Sequence, residues 1–530
     1  MRKIIVLICL VAISLGLANT SFGQVDPAIV NWYNKKGAGM STEKAYKKLK
    51  KRKTKTVIVA VIDSGVDVEH KDLQGKIWVN TKEIPKNGID DDKNGYIDDI
   101  NGWNFLGNSK GENVNQATLE KTRLLRTYSK KFEGIDPATL SSNEKEEYKV
   151  YQKIKTEVEE EIANFKNYKS QMDMLPAIME KVPAIISSKL GKLDYTLKDL
   201  MNWNPTDEQD IQLKGLAMAM KNGSLSLADI NEQLHYINDQ LEYNLNVNFN
   251  ERELIGDNPT DFSDIKYGNN DVEGADALHG THVGGIIGAI RGNDLGGDGV
   301  AEDVKLMVLR AVPNGDENDK DVALAIRYAV DNGARIINMS FGKDYSVYQK
   351  EVYEAMKYAD SKGVLLVHAA GNDNKNVDIE PNFPTWKYSF QTERLDLLLT
   401  IGASTRFRSK LLAADFSNYG VQAVDVFAPG DDIYNSVPND KYKKLQGTSM
   451  AAPMVAGVAA FLASYFPSLS MHEIKDAILK SATSYKGTKQ TKPGSEELVD
   501  FATLSVTGGV VNVYNAVKFC LELEKSKATK

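Results

Sequence analysis

Cysteine is almost absent from this chain of 530 residues, which contains only Cys9 and Cys520. Two cysteines exclude the framework of several disulfides that stabilises many small secreted domains. Cys9 lies in an N-terminal segment that we predict to be removed, so the mature chain would keep Cys520 alone, without an internal disulfide. An exported protein of this kind needs another means of stabilisation, and a bound metal ion is the usual one.

An excess of positive charge is also lacking. The chain has 65 Lys and Arg against 72 Asp and Glu, a formal net charge of −7. Nucleic-acid-binding proteins usually carry a basic surface, so we expect no nucleic-acid partner. Apolar residues make up 42% of the chain, which supports a sizeable core and excludes wholesale disorder. The length predicts one large domain with insertions, or two domains.

Apolar runs long enough to span a bilayer are missing after the N-terminus. Residues 1–23 combine a basic start, Arg2 and Lys3, with an apolar run over 4–17 and small residues ahead of Gln24. This pattern predicts a signal peptide cleaved before Gln24, and an uncleaved membrane anchor is the alternative. We therefore expect an exported protein, periplasmic or extracellular, with no stable membrane anchor after cleavage.

Two types of sequence composition alternate along the rest of the chain. One is rich in Gly and in short apolar β-branched runs, separated by segments of helical periodicity. Such runs are typical of parallel strands buried on both faces, so the alternation predicts an α/β fold with a mostly parallel sheet. The predicted strands are 57–62, 304–308, 336–339, 364–369 and 397–401.

The second type of composition, between residues 110 and 250, is rich in Lys and Glu and poor in Gly. Its apolar residues recur at steps of three and four, which predicts a helical insertion of about four helices. The predicted division is a signal peptide (1–23), a short N-terminal segment (24–55), a first catalytic part (56–104), the helical insertion (105–264), a second catalytic part (265–522) and a charged tail (523–530).

Four polar residues stand out in the segments that are predicted to form the α/β fold. Asp63 ends an apolar strand, His279 lies in Leu-His-Gly-Thr-His, Asn372 follows another strand, and Ser449 lies in Gly-Thr-Ser-Met-Ala-Ala-Pro. Each has an ordinary explanation: a turn Asp or Asn, a structural His, or a Ser capping a helix. His279 and His282 could also form a metal-binding pair, although no third ligand is obvious nearby.

Taken together and in this order, the four segments resemble the subtilisin-like serine protease family (peptidase family S8). The resemblance covers residues 56–104 and 265–520 and implies a three-layer α/β/α fold. It also implies that Ser449 is the nucleophile, His279 the general base and Asp63 the residue that orients it. Asn372 matches the family's oxyanion-hole residue, acting with the main-chain N–H of Ser449.

The resemblance further implies a substrate pocket flanked by Ser340 and Gly342 on one strand and by Ala370 and Gly371 on another. We expect a monomeric serine endopeptidase that acts on proteins or peptides, with a neutral or mildly alkaline optimum. A catalytically silent scaffold of the same fold is one alternative. A hydrolase of esters or lipids is another, although Ser449 lacks a Gly-x-Ser-x-Gly elbow.

An acidic loop, Asp90-Asp-Asp-Lys-Asn-Gly-Tyr-Ile-Asp, follows the spacing of an EF-hand loop. Oxygen ligands at this spacing predict a structural Ca²⁺, and a solvated acidic turn is the alternative. The twelfth position is Asn101 rather than Glu, so a further ligand would come from elsewhere, and Asp99 is a candidate. The predicted ligands are Asp90, Asp92, Asn94, Tyr96 and Asp98.

Two features depart from the family. Asp63 and His279 are 216 positions apart, because the helical insertion lies between them. The insertion could form a lid, a wall that selects substrates or an inhibitory plug, or it could be decoration that points away. Residues 24–55 are also too few for the folding prodomain that secreted members generally carry, which leaves the activation mechanism open.

Overall fold

The structure is a computed structural model that describes residues 26–529, so the predicted signal peptide lies outside the described residues. The strands are β1 (Val57–Asp63), β2 (Gly102–Asn104), β3 (Val304–Arg310), β4 (Ile336–Met339), β5 (Leu365–Ala369), β6 (Leu398–Ser404), β7 (Val426–Pro429), β8 (Ile433–Val437), β9 (Lys441–Leu445), β10 (Thr483–Ser484), β11 (Lys489–Thr491), β12 (Leu498–Asp500) and β13 (Gly509–Val510). The helices are α1 (Thr42–Leu49), α2 (Glu120–Phe132), α3 (Ser142–Met172), α4 (Leu175–Leu190), α5 (Leu197–Asn202), α6 (Glu208–Lys221), α7 (Leu227–Asp239), α8 (Arg252–Ile255), α9 (Leu278–Gly288), α10 (Asp319–Asp331), α11 (Gln349–Ser361), α12 (Thr448–Tyr465), α13 (Met471–Lys480) and α14 (Val513–Ala528).

Nine strands form one sheet in the order β10-β13-β7-β6-β5-β4-β1-β3-β2. Every pair in it is parallel except β10 with β13. The predicted mostly parallel sheet is therefore confirmed. Because the strands are parallel, their carboxyl ends meet at one edge, which is where ligand sites of such sheets lie.

The central strand β1 is buried along nearly its whole length because both faces of the sheet are covered. Val59 and Val61 belong to the hydrophobic core that includes α9 and α12. Ala60 and Ile62 point to the other core, which includes α10 and α11. This gives the three layers of an α/β/α fold.

Helix α12 lies at the centre of the first core, and its Ala and Gly residues allow close packing against its neighbours. A Cβ on Gly457, for example, would lie 2.7 Å from the Cβ of Val300. The expectation that no apolar run after the N-terminus could span a bilayer was wrong: within residues 26–529, α12 is the one helix long and apolar enough to cross a membrane, and 89% of it is buried in the protein. Its apolar character is thus accounted for by packing in the core.

The short N-terminal segment is built into the same core. Trp32, Tyr33 and Met40 are buried there. The Tyr33 hydroxyl donates to the Asp298 carbonyl at 2.9 Å, and the Met40 carbonyl accepts from the N–H of Val513 at 2.9 Å. Residues 32–49 are therefore a structural part of the α/β domain.

Residues 121–249 form a second compact unit, a narrower range than the predicted insertion of 105–264. It contains six helices rather than about four, α2 to α7, counting α2 from its first residue, Glu120. Capping boxes at Ser141 and Ser226 start two of them, as their sequence patterns indicate. The unit has its own hydrophobic core, which includes Val182 and Ile230.

Candidate active site

Asp63 and His279 are directly hydrogen-bonded at the carboxyl edge of the sheet. Asp63 is the last residue of β1 and His279 lies in the first turn of α9, and the Asp63 Oδ1 to His279 Nδ1 distance is 2.6 Å. Asp63 is buried, and its Oδ1 also accepts from the N–H of Ser64 at 2.8 Å. The carboxylate therefore fixes both the orientation of the imidazole and the tautomer that carries a proton on Nδ1.

The charge of Asp63 also changes the acidity of His279. Burial disfavours the charged imidazolium, but the Asp63 carboxylate outweighs burial through its charge and its hydrogen bond. The net result is that the pKa of His279 is raised above its ordinary value of 6.5. Nε2 remains available for proton transfer.

Helix α9 can begin this close to β1 because small residues meet at the junction. A Cβ on Gly280 would lie 2.1 Å from the carbonyl oxygen of Gly65. Gly65 itself has a φ of +125°, which favours glycine. The glycines of both motifs therefore serve the close approach that brings Asp63 to His279.

Ser449 lies in the first turn of α12, where the helix dipole favours negative charge. Its hydroxyl donates to the carbonyl of Ser340 at 3.1 Å rather than to His279. The Ser340 hydroxyl donates in turn to the Ser449 carbonyl at 2.9 Å, which ties α12 to the segment after β4. Hydrogen bonds between reacting groups are often long or poorly aligned in free enzymes.

Asn372 lies beside Ser449 with a fixed amide. Its Oδ1 accepts from the N–H of Thr448 at 2.8 Å and from the Thr448 hydroxyl at 2.9 Å. Since an N–H can bond only to the amide oxygen, Nδ2 must be the group that faces the other way. A Cβ built on Gly447 would lie 3.5 Å from both the Asn372 Nδ2 and the Ser449 N. Two N–H donors therefore border one space, next to the Ser449 side chain.

The predicted pocket residues surround a side chain that the sequence patterns did not identify. Gly342 follows β4, and a Cβ there would lie 2.5 Å from the amide of Asn382. A Cβ on Gly371, which follows β5, would lie 3.3 Å from the Asn382 Nδ2. Asn382 donates to the Ala369 carbonyl at 3.3 Å, next to Ala370. Asn382 thus lies between Gly342 and Gly371, and the Asn418 Nδ2 lies closer still to Gly371, 2.3 Å from the same Cβ.

His282 is buried one turn after His279 and has a structural role. Its Nε2 lies 3.1 Å from the carbonyl of Ile433 and 3.2 Å from that of Lys443, so this nitrogen carries the proton. Burial lowers the pKa of His282 to about 3, which keeps the ring neutral. The ring therefore joins α9 to the hairpin of β8 and β9.

The acidic loop brings three carboxylates together. Ligand oxygens of Glu83, Asp90 and Asp92 all lie within 4.8 Å of one another. Such a spacing fits oxygens that share one ion, because Ca²⁺ takes its ligands at about 2.3–2.6 Å. Glu83 precedes the EF-hand-like pattern, and it was missed because nothing in its local sequence marks it.

The other predicted ligands differ in their surroundings. Both carboxylate oxygens of Asp98 accept main-chain N–H groups, from Asn87 at 3.1 Å and from Gly88 at 2.9 Å. Asn94 donates its amide to Asp99, while the side chain of Tyr96 is buried. Asp99, the candidate for the further ligand, also accepts from Tyr328. These contacts set the shape of the loop around the three clustered carboxylates.

Comparison with known proteins identifies the class to which this fold and site correspond. The model of the subtilase family matches residues 54–500, and the chain belongs to that family. The predicted resemblance is therefore confirmed.

Individual relatives match over parts of the chain. The "Thermophilic serine proteinase" of Bacillus sp. (strain AK1) is 38% identical over 229 residues, which cover 43% of this chain and 51% of that protein. The "Cell wall-associated protease" of Bacillus subtilis (strain 168) is 34% identical over 47% of this chain and 26% of its own length. "Thermitase" of Thermoactinomyces vulgaris is 37% identical over 40% of this chain and 69% of its own length. The chain thus spans about half or less of the length of the first two relatives.

Proposed function

We propose that the chain is an exported serine endopeptidase that hydrolyses peptide bonds in proteins or peptides. The observation that carries this proposal is the 2.6 Å hydrogen bond between Asp63 and His279, at the sheet edge where Ser449 begins a helix. Membership of the subtilase family supports the same reaction class. Export rests on the signal-peptide pattern of residues 1–23.

In the first step, the Ser449 hydroxyl leaves the Ser340 carbonyl and attacks the carbonyl carbon of the scissile peptide bond. His279 accepts the hydroxyl proton on Nε2 and then delivers it to the leaving amine. Asp63 stabilises the imidazolium that forms between these events. Water then attacks the acyl-enzyme by the same route, and Ser449 is released with its proton restored.

The negative charge that develops on the substrate oxygen is held by two donors. These are the Nδ2 of Asn372 and the main-chain N–H of Ser449, which border one space beside Gly447. Both are oriented before substrate binds, because Thr448 holds the Asn372 oxygen and the helix holds its own N-terminal N–H groups. Preorganised donors of this kind stabilise the transition state more than the ground state.

The alternatives make different predictions for the same residues. A silent scaffold has no use for an oriented Asp63–His279 pair together with two converging donors. The triad by itself also suits an esterase, and the choice of a peptidase rests on membership of the subtilase family.

The proposal is tested by hydrolysis of denatured casein with the secreted protein and its Ser449→Ala variant, with and without Ca²⁺. Phenylmethylsulfonyl fluoride provides a second control. We expect the wild type to release peptides and the variant to release none, with equal melting temperatures. Turnover by Ser449→Ala equal to that of the wild type would refute the role of Ser449.

We also propose that a structural Ca²⁺ binds the acidic loop through Glu83, Asp90 and Asp92, with Asn94 and the Tyr96 carbonyl nearby. The bound ion would neutralise three like charges and join the two ends of the loop. Glu83 is added to the proposed set because its carboxylate oxygen lies within 4.8 Å of those of Asp90 and Asp92, and Asp98 would act from outside through the Asn87 and Gly88 amides.

The Ca²⁺ proposal is tested by thermal unfolding with Ca²⁺ and with EGTA. Ca²⁺ at about a hundred times its dissociation constant would add about 2.7 kcal/mol to the free energy of unfolding. Asp90→Asn should reduce this gain, whereas Asp91→Asn, in the same loop but outside the cluster, should retain it. An unchanged melting temperature in EGTA would refute the proposal.

The remaining expectations concern location and assembly. We propose that cleavage before Gln24 releases a monomer to the periplasm or the medium, with no stable membrane anchor and no nucleic-acid partner. N-terminal sequencing of the exported protein and its mass in solution by light scattering test both. An N-terminus at Met1 or a membrane-bound product would refute the first.

A further inference from the structure

Lys343 is a buried lysine that follows the substrate-binding segment directly. Its ammonium donates to the Glu120 carboxylate at 2.6 Å and to the Glu317 carbonyl at 2.8 Å. It also lies 2.8 Å from the Asp319 carboxylate. The lysine side chain is 2% exposed, so water contributes little to solvating its charge. Its position is therefore set by acceptors of the protein on separate parts of the chain.

The main chain of Lys343 belongs to the wall of the substrate pocket. Its N–H donates to the Phe383 carbonyl at 3.1 Å, and its carbonyl accepts from the Phe383 N–H at 2.9 Å. Gly342 and Asn382, which face each other in the pocket, are the residues just before these two partners. A shift of Lys343 would therefore disturb the main-chain pairing that sets the positions of Gly342 and Asn382.

The carboxylate partner, Glu120, lies where the chain leaves the α/β domain for the helical unit of residues 121–249. Its N–H donates to Asp316 at 2.7 Å. Two residues earlier, the Thr118 hydroxyl donates at 3.2 Å to Glu251, which lies just after the helical unit. The outgoing and returning segments are thus joined to each other, and Glu120 joins them to Lys343.

The buried charges of Lys343, Glu120 and Asp319 restrict the movement of this connection. Two buried carboxylates, Glu120 and Asp319, lie against one ammonium, so removal of the ammonium takes away the positive charge that faces both of them. Breaking a buried ion pair from one side leaves an uncompensated charge, which forces the groups apart or draws water in. Either response would displace the segment that carries Gly342.

We propose that Lys343 is a positioning residue for substrate binding, which ties the root of the helical unit to the wall of the pocket. The inference rests on the proposed peptidase function. Lys343 does not contact the reacting atoms. It acts through Gly342 and Asn382, so its effect falls on the recognition of the P1 side chain, the one before the scissile bond, and not on the reactivity of Ser449.

The experiment measures kcat and KM of the full-length protein and of Lys343→Met on a peptide series that varies only at P1, from Ala through Gln to Phe. Inactivation by diisopropyl fluorophosphate, which needs no P1 side chain, measures the reactivity of Ser449 separately. A displacement of the pocket wall by a fraction of an ångström should raise KM about tenfold for P1 residues that reach Asn382. The inactivation rate should stay within about twofold of the wild-type rate, since Lys343 contacts none of Asp63, His279 and Ser449.

Lys320→Met is the matched control. Lys320 is also fully buried, on helix α10, and pairs with Asp257 at 2.9 Å and Asp264 at 3.4 Å. Its substitution therefore also removes one buried ammonium and two ion pairs, but the main chain of Lys320 is not paired with the pocket segment. We expect a similar loss of melting temperature in both variants and a changed P1 profile only in Lys343→Met.

A second variant covers the case in which Lys343→Met does not fold. Glu120→Gln keeps the shape of the side chain and a neutral acceptor for the ammonium, so it should fold and shift the P1 profile in the same direction by a smaller factor. An unchanged profile in the folded variants, or the same change in Lys320→Met, would overturn the proposal. A wild-type protein that neither cleaves peptides nor reacts with the fluorophosphate would refute the proposed function, and the inference with it.

Discussion

Two opposing effects act on the pKa of His279, and their balance sets the pH range of activity. Burial works against the imidazolium, and the Asp63 carboxylate more than compensates, so the pKa is raised above 6.5. The neutral ring is the base that accepts the Ser449 proton. Activity should therefore be present above the raised pKa and be lost as the pH falls through it.

The first prediction is that the acid limb of the pH profile of kcat/KM for a small peptide has its midpoint above 6.5. Asp63→Asn removes the charge that raises the pKa and also disturbs the tautomer, so kcat should fall about 10⁴-fold. Residual activity of this variant should show a midpoint lower than that of the wild type. A midpoint below 6.5 in the wild type would contradict the electrostatic argument.

Asn372 gives a prediction about the oxyanion donors. Asn372→Ala removes the Nδ2 donor and should lower kcat by about 10²–10³, with little change in KM, because the lost interaction forms mainly in the transition state. Steady-state kinetics measures both. Because the substitution also leaves the Thr448 N–H without its acceptor, thermal unfolding should accompany the kinetics. A rise in KM with kcat unchanged would argue for substrate binding instead.

Asn382 gives a prediction about specificity. Its Nδ2 is engaged with Ala369, while its Oδ1 accepts no hydrogen bond from the residues that the structure describes. A P1 side chain with a donor, such as Gln, can supply that bond, whereas a large ring meets a filled space. We therefore expect kcat/KM to be higher for Gln than for Phe at P1, and Asn382→Gly to reverse the order, since each well-placed polar contact contributes about 1–3 kcal/mol to discrimination. An unchanged Gln-to-Phe ratio in the variant would contradict this role.

Among the structural elements, the N-terminal segment contributes more to the stability of the fold than its sequence indicates. Tyr33 is completely buried, its hydroxyl donates to Asp298, and it accepts from the Asn435 amide at 3.1 Å. Tyr33→Ala leaves a cavity and an unpaired amide, so it should lower the free energy of unfolding by about 3–5 kcal/mol in urea titrations. Tyr46→Phe serves as the milder comparison, because it keeps the ring and removes only the hydroxyl, which donates to the Val300 carbonyl and accepts from the Glu302 N–H. A loss below about 1 kcal/mol for Tyr33→Ala would show that the segment is dispensable.

Sequence patterns predicted what is local and missed what the tertiary structure assembles. About ten neighbouring positions are enough to recognise each of the local features. These are the apolar strands, the helical periodicity of the insertion and the four motif residues. Glu83, Asn382 and Lys343 carry none, because each becomes significant only through a partner that folding brings beside it. The predicted count of about four helices was too low, and α3 and α4, for example, are separated by only two residues, Asp173 and Met174.

For the molecule as a whole, the role of the helical unit can be tested by deleting it, and the structure indicates the boundaries of the deletion. A deletion of residues 110–250 would remove Glu120, one of the two carboxylates that lie against the Lys343 ammonium. Deleting only residues 121–249 keeps Glu120, and it keeps Thr118 next to Glu251, so that a short Gly-Ser linker can close the gap. The remaining domain retains both of its sheet-covering cores, and it should fold.

We predict that this deletion preserves the reaction of Ser449 with a fluorophosphate and the turnover of a short peptide within about threefold, because no residue assigned to the triad, the oxyanion donors or the pocket is removed. The ratio of casein turnover to short-peptide turnover then identifies the role of the unit. A higher ratio means that the unit restricts large substrates, as a lid or wall would. An unchanged ratio means that it is peripheral to catalysis. A large rise in short-peptide turnover as well would identify an inhibitory plug, and loss of the fluorophosphate reaction in a folded protein would contradict the independence of the two units.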